Sequence, residues 1–108
     1  MNGNLQVISG ILELETGSAG VQKLCIFDFS SRRVDGAGRL LEANGPRNNF
    51  RGAPHVIISA TDLTLSTESN TFFKISRTAR ADSLQIEYRI DSAGRGLQVD
   101  FLVIGEPA

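Results

Sequence analysis

Two stretches near the end of the chain alternate apolar and polar residues. Leu84, Ile86, Tyr88 and Ile90 are interleaved with Gln85, Glu87 and Arg89; Leu97, Val99, Phe101 and Val103 are interleaved with Gln98 and Asp100. A period of two puts successive side chains on opposite faces, which predicts strands with one face in a core and one in solvent. Asp91-Ser92-Ala93-Gly94-Arg95-Gly96 between them is rich in turn formers, so the pair reads as an antiparallel hairpin. With Ile90 opposite Leu97, Glu87 faces Asp100 and Arg89 faces Gln98. Two facing carboxylates are unfavourable without a cation between them. Arg89 lies diagonal to Asp100 and can serve, and Lys74 would be the next strand's contribution. Glu87, Arg89 and Asp100 are therefore expected to form a charged seam between subunits.

Upstream the pattern is less regular. Leu5 to Glu15 is a strand whose apolar residues fall on both parities, with Gly10 between the two sets where a bulge could switch faces. Gly17-Ser18-Ala19-Gly20 is a turn. Val21 to Phe29 is a second strand, apolar on both faces. Ser30 to Asn49 reads as one long irregular segment holding Gly36, Gly38, Gly45 and Pro46. A loop of about 20 residues is long for a compact domain, and such loops often carry function. His55 to about Leu65 is a strand, Thr67 to Asn70 a turn, and Thr71 to Ala79 another strand. No helical periodicity appears. Six or seven strands joined by Gly, Ser and Asn turns predict an all-β antiparallel β-sandwich, one domain spanning residues 1–108.

Charge is nearly balanced, with 11 basic and 12 acidic residues and a formal net charge of −1. That argues against nucleic-acid binding by general phosphate attraction. No apolar run is long enough to span a bilayer, so no membrane insertion is expected. Met1-Asn2-Gly3-Asn4 lacks the basic-then-apolar character of a secretory signal. The expectation is a chain made in the cytoplasm that acts there or after release. Cys25 is the single cysteine, so no internal disulfide forms, and it reads as a small buried apolar residue. No nucleophile–base pair, metal-ligand spacing or phosphate-binding glycine loop is present. Neither an enzyme nor a cofactor is expected.

Several residues could bind a ligand, and each also has a plainer reading. Asp35 before Gly36 is a turn signal as well as a carboxylate. Asp91, Ser92 and Arg95 sit in the terminal loop, where sandwiches often place binding residues. Arg32, Arg33, Arg39 and Arg47 form a basic group that either meets an acidic polysaccharide or solubilises a loop. His55 at a strand start reads as an ordinary histidine. Phe72 stacks on a sugar or is buried in a subunit seam.

An ordered set of short motifs resembles the H-type lectin domain, the family of snail agglutinins and slime-mould discoidins. Gln6-Val7-Ile8-Ser9-Gly10 resembles its opening strand. Asn49-Phe50 precedes a loop ending at Pro54, followed by Val56-Ile57-Ile58-Ser59 and Thr61-Asp62-Leu63. Thr71-Phe72-Phe73-Lys74-Ile75-Ser76, Leu84-Gln85-Ile86-Glu87-Tyr88 and Val99-Asp100-Phe101-Leu102-Val103-Ile104-Gly105 follow in order. The resemblance implies a six-stranded sandwich assembled as a homotrimer or hexamer, with galactose or N-acetylgalactosamine held between subunits. It places Asp35 and Gly36 at the family's sugar-binding aspartate, and Thr71, with Lys74 as the nearest basic residue, where the family has a binding arginine. The terminal loop offers Asp91, Ser92 and Arg95 and lacks the family's aromatic–histidine pair, so the galactose-type pocket is not matched. Two functions follow. One is a multivalent carbohydrate-binding module for a cell-surface glycan, such as the adhesion component of a phage-like particle. The other is a structural trimeric spike, fibre or connector on the same scaffold without a sugar site.

Overall fold

The computed structural model describes residues 4–14, 20–62, 73–90 and 97–108, without the side chains at 62, 73, 74 and 90. Eight strands lie among them: β1 (Gln6–Leu14), β2 (Gln22–Asp28), β3 (Val34–Gly36), β4 (Gly38–Asn44), β5 (His55–Asp62), β6 (Phe73–Ala79), β7 (Ser83–Ile90) and β8 (Leu97–Gly105). They form two antiparallel sheets. The first runs β4-β1-β8-β5 and the second β3-β2-β7-β6. The all-β sandwich expected from the alternation is the fold. The motif pieces at 63, 71 and 72, the turns at 17–19 and 67–70, and the terminal loop 91–96 lie outside the described residues.

On β7 and β8 the inward faces are the ones the alternation marks. Ile8, Leu12 and Leu14 of β1 meet Leu97, Val99, Phe101 and Val103 of β8 in one layer; Cys25 and Phe27 of β2 meet Leu84, Ile86 and Tyr88 of β7 in the other, all buried. Burying one such aliphatic or aromatic side chain is worth about 1.5–3 kcal/mol. Phe27 and Phe101 join the layers with ring centroids 5.1 Å apart. Phe29 and Phe50 extend the cluster edge-to-face at 5.0 Å. Gly10 faces inward, directly across from Phe101. A Cβ there would press on the Glu42 carbonyl oxygen and stand 2.8 Å from Phe101 Cζ, so the missing side chain makes room for the ring.

Three expectations are corrected. First, the terminal alternating stretches are not a hairpin. β7 pairs with β2 and β6, β8 pairs with β1 and β5, and the two strands belong to opposite sheets. Glu87 stands across from Leu24 and Ser76, whereas Asp100 stands across from Ile11 and Ser59. The two carboxylates never face each other, and the seam built on their opposition does not exist in that form. Second, β1 keeps one parity through Gly10. The bulge is in its neighbour: Ile11 pairs with Glu42 and Leu12 with Leu40, leaving Leu41 extra on β4.

Third, the segment expected to be one long loop contains β3 and β4. They follow each other with only Ala37 between, yet lie at edges of opposite sheets. The chain turns the corner of the sandwich there. Gly36 has φ 89°, a left-handed value that favours glycine, and its Cα packs against the Leu24 carbonyl. Ala37 N donates to Leu24 O at 3.0 Å, and Tyr88 Oη donates to Ala37 O at 2.7 Å. On the opposite side of the sandwich, Arg77 Nε donates to Val56 O at 3.2 Å and links β6 to β5.

Candidate functional site

The outer face of the second sheet gathers hydrogen-bonding side chains from all four of its strands. Its rungs follow from the register. Gln22, Arg89 and Lys74 share one; Leu24, Glu87 and Ser76 the next; Asp35, Ile26, Gln85 and Thr78 a third. The opposite parity of the strands packs toward the core, so the described side chains on these rungs face outward. Asp35, Ser76, Thr78, Glu87 and Arg89 are exposed, and Gln85 is half-buried. Gln22 Nε2 donates to Glu87 Oε2 at 2.8 Å, which orients the carboxylate. Leu24, 41 % exposed, and half-buried Ile26 leave an apolar strip among the polar groups.

Three residues singled out from the sequence therefore share one face: Asp35, Glu87 and Arg89. Asp35 and Gly36 are on edge strand β3, Lys74 is on edge strand β6, and Glu87 and Arg89 are on β7 between them. Three strand spacings separate β3 from β6, roughly 14 Å. β3, which carries Asp35, and β6, which carries Lys74, thus form opposite edges of the sheet. Asp100 lies on the outer face of the other sheet. Thr71, Asp91, Ser92 and Arg95 lie outside the described residues. Gln22, Leu24, Ile26, Gln85 and Thr78 escaped the sequence reading. Gln85 lies on a visibly alternating strand but β2 reads as apolar on both faces, and only the strand order shows which outward rows adjoin.

The turn after β2 shows how firmly one corner of this sheet is built. Asp28 Oδ1 accepts from Ser30 N (3.1 Å), Ser31 N (3.0 Å) and the hydroxyls of Ser30 and Ser31 (3.0 Å each). The Ser31 backbone bond, opposed by partial burial and aided by the Ser30 bonds and the Ser31 hydroxyl, holds the Asp28 carboxyl below the usual aspartate range. Arg32, at φ 60°, follows in the same turn and donates through Nη2 to the Gly45 carbonyl. Arg39 pairs with Glu13 at 3.0 Å.

A hollow of about 430 Å3 lies at one end of the other sheet, lined among others by Leu5, Arg51, Pro54, His55, Ile104 and Glu106. Arg51 and Glu106 pair there at 3.3 Å, both largely exposed, so the charges at its rim already compensate one another. Cys25 is sealed in the core, and burial pushes its thiol up to about 11. It stays protonated at neutral pH and cannot act as a nucleophile. Comparison with protein families, with curated proteins and with solved structures finds no significant match to this chain.

Proposed function

We propose that the chain is a non-catalytic carbohydrate-binding module whose platform is the outer face of β3-β2-β7-β6. One observation carries the reading: carboxylates (Asp35, Glu87), amides (Gln22, Gln85), hydroxyls (Ser76, Thr78) and the Arg89 guanidinium surround an apolar strip of Leu24 and Ile26. Sugars present vicinal hydroxyls that both donate and accept, beside an apolar C–H face. A mixed platform of this kind complements both, and its charged members make the stronger hydrogen bonds. A flat face favours an extended cell-surface polysaccharide over a single buried sugar. Each contact is weak, so working affinity comes from several copies acting together. The test is a glycan array probed with clustered protein, repeated with Glu87→Gln and Asp35→Asn. Binding that falls about tenfold, roughly 1.4 kcal/mol, supports the platform. No binding at any valency, or binding that both substitutions leave intact, refutes it.

The second reading is a structural spike, fibre or connector component. The exposed Leu5, Val7 and Ile57 favour it, because they make the other sheet's outer face suited to protein contact. The same array separates the two readings.

A further inference from the structure

The outer face of β4-β1-β8-β5 differs in kind from the platform just described. Its central rung is Ser9, Leu102 and Ile57, with Asn44 at the edge. One rung toward the hollow stand Val7, Ile104 and His55, with Leu5 beyond them. One rung the other way stand Glu42, Ile11, Asp100 and Ser59. Leu5 and Ile57 are each 64 % exposed and Val7 43 %, while Ile11, Leu102 and Ile104 are half-buried. These six aliphatic side chains form one stripe crossing three strands.

Charge along this face is polarised. The acidic end carries Glu42 and Asp100, with Glu13 one rung beyond paired to Arg39. The other end carries His55 and exposed Arg47 just past β4, while Arg51, just before β5, pairs with Glu106. The face is thus complementary to itself turned end for end. We infer that it is the twofold interface of a homodimer, its axis lying between the two copies and crossing the strands over the Ser9–Leu102–Ile57 rung. Turning a copy about that axis sets Asp100 of one copy beside His55 of the other, and Glu42 beside Arg47. An axis along the strands would instead set Glu42 of one copy beside Asp100 of the other, which the charge pattern disfavours.

Four strands and eight residues of length give a face of roughly 19 by 27 Å, about 500 Å2 in projection for each copy. The pair then covers about 1,000 Å2, the lower limit for a specific interface. The dimer is accordingly expected to dissociate in the micromolar range. It would leave both polar platforms pointing outward in opposite directions, as a bivalent binder needs. The inference does not rest on the glycan reading, since it is scored by mass alone.

The experiment is sedimentation of the full chain from low to high micromolar concentration. The expected result is a mass rising from one copy to two, with Ile57→Lys and Leu102→Lys remaining single copies and keeping the wild-type circular-dichroism spectrum. Glu42→Lys should weaken the dimer about tenfold, and adding Arg47→Glu should restore it. Ile57→Cys should crosslink to its own mate under oxidation, because the position sits on the axis and Cys25 is buried. Thr61→Cys should not, standing about 26 Å from its mate. A single copy at high micromolar concentration, a trimer, a dimer that survives Ile57→Lys, or efficient crosslinking through Thr61→Cys would overturn the inference.

Discussion

Gln6 is a polar residue in the core, 6 % exposed, and it fixes where the chain re-enters the sandwich after β4. Its Nε2 donates to Asn48 O at 3.1 Å and Asn49 O at 3.3 Å, and its Oε1 accepts from Asn48 Nδ2 at 3.1 Å. Gln6→Met keeps the volume and removes all three bonds. Each such bond contributes about 1 kcal/mol net, and a buried group left without a partner costs about 1–3 kcal/mol. Asn48 and Asn49 are half-buried, so water partly compensates, and the expected loss is about 2 kcal/mol. For a domain of this size that corresponds to a fall in Tm of roughly 10 °C. Urea unfolding followed by far-ultraviolet circular dichroism should show a lower midpoint at unchanged slope. Gln22→Met, at an exposed amide, should stay within about 0.5 kcal/mol. If Gln6→Met is equally mild, the clamp is not holding this corner.

Tyr88→Phe should cost about 1 kcal/mol, because the Ala37 carbonyl loses its 2.7 Å donor while the ring stays packed; an unchanged urea midpoint would count against the corner as described. Asp28 gives a pH dependence of definite sign. Its folded carboxyl titrates below the ordinary aspartate value, so its stabilising contribution is complete above that value and disappears as pH falls through the lowered one. The midpoint gap between wild type and Asp28→Asn should therefore be present at neutral pH and shrink below about pH 4; a gap equal at both would contradict it.

How far the sequence reaches can be judged from particular strands. Alternation in β7 and β8 identified the strands and their inward residues, because side-chain direction along an extended chain is a local property. It did not identify their partners. The six residues from Asp91 to Gly96 can reach about 20 Å when extended, enough either for a hairpin or for a crossing between sheets about 10 Å apart. Non-local pairing with β1, β2, β5 and β6 decided between them. β3 and β4 escaped notice for a related reason. They are edge strands with little buried surface, and Gly36 and Gly38, which usually mark loops, here serve a corner.

The candidate face was only partly legible for the same cause. Outward positions such as Glu87 and Arg89 could be named, but that Gln22, Leu24, Ile26 and Gln85 adjoin them depends on strand order. Composition and periodicity alone determined an all-β chain, with the core on one parity in β7 and β8, since hydrophobic burial acts residue by residue along each strand. Tertiary structure alone decided which strands became neighbours, and with that, which outward rows merged into a polar platform on one side and an aliphatic stripe on the other. Sheet pairing is a choice among distant segments, and it is settled by fitting the two layers together.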